Sequence, residues 1–93
     1  MEPILIWDLE DDPDGNYVHI VIEHDVSQDE VWEVVSDPQN ETVPSDSSGR
    51  PCTFGYTSSG RYLLVVWEHV EDEPRTIKPV TAYEVPPPRR KKR

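Results

Sequence analysis

Only four cationic side chains precede residue 89, namely Arg50, Arg61, Arg75 and Lys78, so an anion handled by that part of the chain must meet one of them. No lysine or arginine stands before Arg50, whereas Arg89 to Arg93 are five consecutive basic residues. Setting those five aside leaves four cations against nineteen Asp and Glu, a formal charge of −15 where the whole chain carries −10. That balance disfavours a broad phosphate-binding face, because nucleic-acid affinity rests largely on Lys and Arg displacing counterions. Arg50 and Arg61 are therefore the candidates for stabilising charge at a compact site.

Other chemistry-bearing residues read as structural. Glu10, Asp12, Asp14 and Gly15 imitate the first, third, fifth and sixth positions of an EF-hand loop. The twelfth position is Val21, where a bidentate Glu is required, and Pro13 interrupts the segment, so a solvated acidic loop is expected. Cys52 has no partner for a disulfide or a Cys-rich zinc site and reads as a strand residue. On an α-helix, five residues turn through about 500°, which would set His19 nearly opposite His24 and argues against a shared metal site. No metal and no cofactor are expected.

The elements that position these residues follow from pattern. Ile4 to Trp7 is an apolar run ended by acidic residues and reads as a first strand. Tyr17, Ile20, Val21 and His24 have helical spacing within Asn16 to His24. Ser27-Gln28-Asp29-Glu30 has capping-box spacing, flanked by Val26 and Val31 at the positions of a hydrophobic staple. A helix over Gln28 to Ser36 is expected, burying Val31, Val34 and Val35 and ending before Pro38.

The polar run Pro38 to Pro51 reads as a loop with a short strand near Thr42 and Val43. Strands are expected over Cys52 to Thr57, Arg61 to His69 and Arg75 to Val85, with a hairpin turn at Ser58-Ser59-Gly60. Leu63 to Trp67 is apolar on both faces and should be central, while Pro79 demands an edge or a bulge. The expected architecture is α+β: an N-terminal strand, two helices, then a three- to four-stranded antiparallel meander. One domain is expected over residues 1–85, followed by a Pro-rich basic tail, 86–93, expected to be disordered. The longest apolar stretch, Tyr62 to Trp67, is too short to span a bilayer, and neither export nor membrane association is expected. The single cysteine fits a cytoplasmic setting.

Several segments fall in one order: Ile6-Trp7-Asp8, Glu23-His24-Asp25-Val26 leading into Ser27 to Val31, Asp37-Pro38, Gly60-Arg61, Leu63 to Trp67, and Val80-Thr81-Ala82-Tyr83. Together they resemble the BrnT-type toxins of bacterial toxin-antitoxin modules, which share the RelE/ParE-like fold. The resemblance covers most of residues 4–85. His24 matches the histidine of that family's Lys-His-Gly-Val turn, while Glu23, Asp25 and Tyr83 stand where the family has Lys, Gly and Arg. The resemblance implies a ribonuclease that cuts RNA without a metal and is neutralised by a cognate antitoxin. Such cleavage needs activation of the 2′-hydroxyl, a cation at the phosphate and a proton donor to the leaving oxygen. His24 would be the acid or base, Arg61 and Arg50 the charge stabilisers, and Tyr83 or Glu84 an aid to proton transfer. The alternative, favoured by Glu23 and Tyr83, is a non-catalytic interaction protein on the same fold whose acidic helical surface binds a basic partner.

Overall fold

The structure, a computed structural model, describes residues 2–88, so the basic segment Arg89 to Arg93 and its expected disorder lie outside the described residues. Five strands form one sheet: β1 (Ile4–Leu5), β2 (Glu41–Pro44), β3 (Pro51–Tyr56), β4 (Tyr62–Asp72) and β5 (Arg75–Glu84), in the spatial order β1-β5-β4-β3-β2. From β2 to β5 each strand pairs antiparallel with the next. The sheet is nevertheless mixed rather than a plain antiparallel meander, because β1 joins β5 in parallel through Ile4↔Thr76 and Leu5↔Ile77. The first strand is shorter than the apolar run suggests; only the Ile6 amide continues it, donating to the Ile77 carbonyl at 3.0 Å.

Between β1 and β2 lie two helical segments, a π turn over Val18–Glu23 and the helix α1 over Gln28–Ser36. The caps of α1 are those expected: the Glu30 amide donates to Ser27 Oγ at 3.1 Å, and the Ser27 amide donates to the Glu30 carboxylate at 3.0 Å. Val31, Val34 and Val35 face inward. Replacing Ser27 by Ala should cost about 1 kcal/mol, the usual cost of an N-cap deletion, measured by chemical denaturation. A loss below a few tenths would mean that the Glu30 half of the box holds the helix start alone.

Both segments bury side chains against one face of the sheet. Ile20 and Val26 join the inward valines of α1 and Leu63, Val65, Trp67, Ile77 and Ala82 from the central strands in one buried cluster. β4 is central, as its two-sided apolar pattern requires, and longer than expected, running through His69 to Asp72. Pro79 is accommodated in both ways foreseen: it lies on β5 beyond the reach of β1, and the register slips there, Val66 facing Thr81 while Trp67 faces Pro79.

That slip is anchored by a residue the sequence pattern hides. Asn16 is only 6% exposed, and its side-chain amide donates to the carbonyls of Ile6 (3.0 Å) and Pro79 (2.7 Å). Its side-chain oxygen accepts from the Asp8 amide at 2.8 Å, while the Asp8 carboxylate accepts from the Asn16 amide at 2.8 Å. That amide, followed by the Lys78 ammonium at 3.2 Å, holds the Asp8 carboxyl below its ordinary value. One side chain thus ties the exit of β1, the acidic loop and the irregular part of β5 together.

The opposite face of the sheet carries Cys52, Phe54, Leu64, Val66, Thr81 and Tyr83 in register across β3, β4 and β5. Among the described residues α1 packs on the other face, and the π-turn segment meets this one along β5, where His19 and His24 contact Thr81 and Tyr83. The Ser45 to Arg50 loop borders it on the β2 side. Tyr56 and Tyr62 meet at its end, with ring centroids 4.8 Å apart.

Candidate functional site

The first helical segment, Val18–Glu23, differs from expectation in its winding, and the difference moves a residue into the site. The His24 amide donates to the carbonyl of His19, five residues back, at 3.2 Å. A π turn closes i to i+5, so residues five apart return to the same face. His19 and His24 are accordingly neighbours, with ring centroids 4.3 Å apart, rather than on opposite sides. The signal was the five-residue spacing itself, which reads as divergence at α pitch and as convergence at π pitch.

Both rings lie along the part of β5 that β1 leaves bare. His24 Nδ1 donates to the Ala82 carbonyl at 2.9 Å, which fixes the tautomer and directs Nε2 away from that bond. His19 bridges Thr81 Oγ1 (2.8 Å) and the Glu23 carboxylate (3.1 Å) with its two nitrogens. The edge of the His24 ring meets Tyr83 with centroids 5.6 Å apart and an interplanar angle of 82°. Asp25, next in the chain, has φ of +57°. Asp tolerates this left-handed region better than most residues, whereas glycine enters it without steric cost.

Arg61 precedes β4 and reaches the same place from the other end of the core. Its Nη1 donates to the Asp25 carbonyl and to Glu30, each at 2.9 Å, and its Nε donates to Glu84 at 3.3 Å. His24, Asp25, Arg61, Tyr83 and Glu84 line one shallow depression. Three of the four expected site residues are therefore brought together. The fourth, Arg50, is not: it stands in the β2–β3 connection, donates to Glu68 at 3.1 Å, and lines depressions that contain neither His24 nor Arg61.

The electrostatics of this depression are set by Glu30, whose part beyond the helix cap the sequence does not reveal. One oxygen of its carboxylate accepts from the Ser27 amide and from Arg61, and the other accepts from Ser59 Oγ in the β3–β4 turn at 3.3 Å. Burial pushes the Glu30 carboxyl up, but the Ser27 amide and the Arg61 guanidinium outweigh it, and the net shift is downward. For Arg61, burial works against the charge, and Glu30 and Glu84 more than restore it, raising its pKa further. Glu33 adds a fourth link by accepting from the Ser58 amide at 3.0 Å.

Chemically, the arrangement supplies one imidazole with an outward Nε2, a neighbouring phenol, and a guanidinium already matched by two carboxylates. It can hold and pass a proton. The cation that would stabilise a phosphate in flight is committed to the fold. Among the described residues, no group of three or more His, Cys, Asp or Glu is arranged to hold a metal ion. No helix of the described residues is long and apolar enough to cross a membrane. Compared with known proteins, the chain matches no family model, no curated sequence and no solved structure.

Proposed function

We propose that this chain is a partner-binding protein of the RelE/BrnT-like toxin class in which the acidic helical surface, and not RNA cleavage, carries the function. The observation behind this reading is the pairing of its body cations. Arg50 is matched by Glu68, Arg61 by Glu30 and Glu84, and Lys78 by Asp8, while Arg75 lies 5.6 Å from the Trp67 ring centre. A ribonuclease without a metal depends on a cation at the scissile phosphate, and each of these would have to leave a protein partner to serve. The class assignment is supported by the ordered marker segments and by Asp25, whose positive φ suits the glycine that the family has there. The partner would present a basic face, as a cognate antitoxin or another basic protein, to the carboxylates of Asp25, Asp29 and Glu33.

A second reading, a weak metal-independent ribonuclease, is favoured by one observation: His24, Tyr83 and Arg61 share a depression. There His24 Nε2 would exchange the proton and Arg61 would have to release Glu84 to meet phosphate. Controlled expression of the intact chain and of His24→Ala in a bacterial host, following growth and messenger RNA integrity together, separates the two. Normal growth and intact RNA with both chains are expected. Growth arrest with RNA loss that disappears in His24→Ala would overturn the binding reading and establish the ribonuclease. The surface itself is tested by titrating a lysine-rich peptide and mapping amide shifts. They should centre on Asp25, Asp29 and Glu33 and vanish at high salt; shifts centred elsewhere would remove the acidic helix as the surface.

A further inference from the structure

The open face of the sheet combines apolar floor, aromatic end and acidic border in a way that selects an occupant. Phe54, Leu64 and Tyr62 are half-buried there, while Tyr56 is 55% and Tyr83 39% exposed. Phe54 stacks with Tyr62 at 6.2 Å between centroids, and Tyr56 leans on the same ring. Glu41 stands opposite Phe54 on β2, and its charge, after burial and Tyr56, helps raise the Tyr62 phenol pKa. Asp46, in the bordering loop, acts likewise on the buried Cys52 thiol. Two carboxylates therefore border this face on its β2 side.

The chain leaves the fold at this same aromatic end. The Val85 amide donates to the Tyr62 carbonyl at 2.9 Å, so Pro86 begins beside the Tyr62 strand position. Pro86-Pro87-Pro88 precede the five basic residues Arg89 to Arg93. We propose that the open sheet face is the docking site of the chain's own segment 86–93, the prolines lying over Tyr56 and Tyr62 and the cations meeting Glu41 and Asp46.

The reach fits. Proline runs extend as polyproline II at about 3.1 Å per residue, so three prolines cover about 9 Å. Val85 continues β5, so the path to β2 crosses three strand spacings, about 14 Å; the prolines and the next two residues extend over about 16 Å, which brings Arg89 and Arg90 to Glu41 and leaves three cations for the loop of Asp46. Proline-rich segments bind aromatic-lined grooves because the extended form is already populated. Pro86 to Pro88 are exposed in the structure; docking would lay them over the tyrosine rings, with the attraction supplied by the cations that follow. The charge balance supplies the pull: a body of −15 and a segment of +5 in one chain.

The test compares the full chain with a variant in which Arg89, Arg90, Lys91, Lys92 and Arg93 are all replaced by Gln, using NMR at low salt and at about 1 M salt, where screening shortens to about 3 Å. Ring and amide signals of Phe54, Tyr56, Tyr62 and Glu41 should differ between the two chains at low salt and coincide at high salt. The paired substitution Glu41→Gln and Asp46→Asn should reduce the difference at least twofold. Differences confined to residues 84–93, or centred on Asp29 and Glu33, would overturn the proposal. Differences that grow with protein concentration would also overturn it, by placing the segment on a second copy.

Discussion

Replacing Asn16 by Leu is expected to lower stability by about 4 kcal/mol, the largest loss of any single polar substitution in this fold. The side chain is buried and makes three hydrogen bonds, to the Ile6 carbonyl, the Pro79 carbonyl and the Asp8 amide. Each group left unpaired away from water costs about 1–3 kcal/mol, and leucine satisfies none of them. A domain of this size holds only about 5–10 kcal/mol in total, so the variant should be close to unfolding at room temperature. Asn16→Asp is the informative companion, since it keeps the acceptor for the Asp8 amide, loses both donors and adds a charge beside Asp8. It should be nearly as damaging. Denaturant unfolding that shows less than about 1 kcal/mol for Asn16→Leu would mean that water replaces the amide, and the clasp would lose its assigned role.

The second large effect concerns Arg61. Arg61→Gln should destabilise the fold by about 2 kcal/mol at neutral pH, below the cost of breaking a fully buried pair because the arginine side chain remains 26% exposed and Glu30 17%. For a domain of this length that lowers the melting temperature by roughly 10 °C. The pH dependence has a definite sign. The native Glu30 carboxyl lies below its ordinary value of 4.5, so its contribution is present above that value and is lost as pH falls through the lowered native one. The gap between native chain and Arg61→Gln should therefore be full at pH 7 and close on acidification. A gap that stays constant to strongly acidic pH would show that Arg61 stabilises by packing its stem. The same variant bears on function: a chain whose arginine serves the fold should lose stability, whereas one whose arginine serves catalysis should lose activity at unchanged stability.

How far the sequence discloses this molecule depends on whether the information is local. The Ser27–Glu30 box, the inward valines of α1, the central character of β4 and the demand of Pro79 for an irregular edge all follow from spacing within a few residues, and the structure contains each. The parallel pairing of β1 with β5 joins residues more than seventy positions apart, and no pattern in a two-residue strand specifies it. Asn16 sits among loop acids, where an amide looks solvated; only the approach of β5 makes it a buried donor. Glu30 was visible as a cap and invisible as the partner of Arg61, because the cap is written in four consecutive residues and the ion pair is not. Of the site residues, His24, Arg61 and Tyr83 converge while Arg50 stays with Glu68, a distinction decided by the end of the sheet at which each cation stands: Arg61 precedes β4 and Arg50 precedes its antiparallel neighbour β3.

The π turn also bears on how this segment tolerates changes in length. An α-helix brings residues four apart to one face, and a π turn does so for residues five apart. Deleting one residue between His19 and His24, Val21 for example, and letting the turn tighten to α pitch would leave both rings on the same side. The segment thus acts as a slack link: its hydrogen-bond pitch, rather than the position of the rings, takes up a single-residue deletion. A variant of this chain one residue shorter here should still lay both imidazoles against β5.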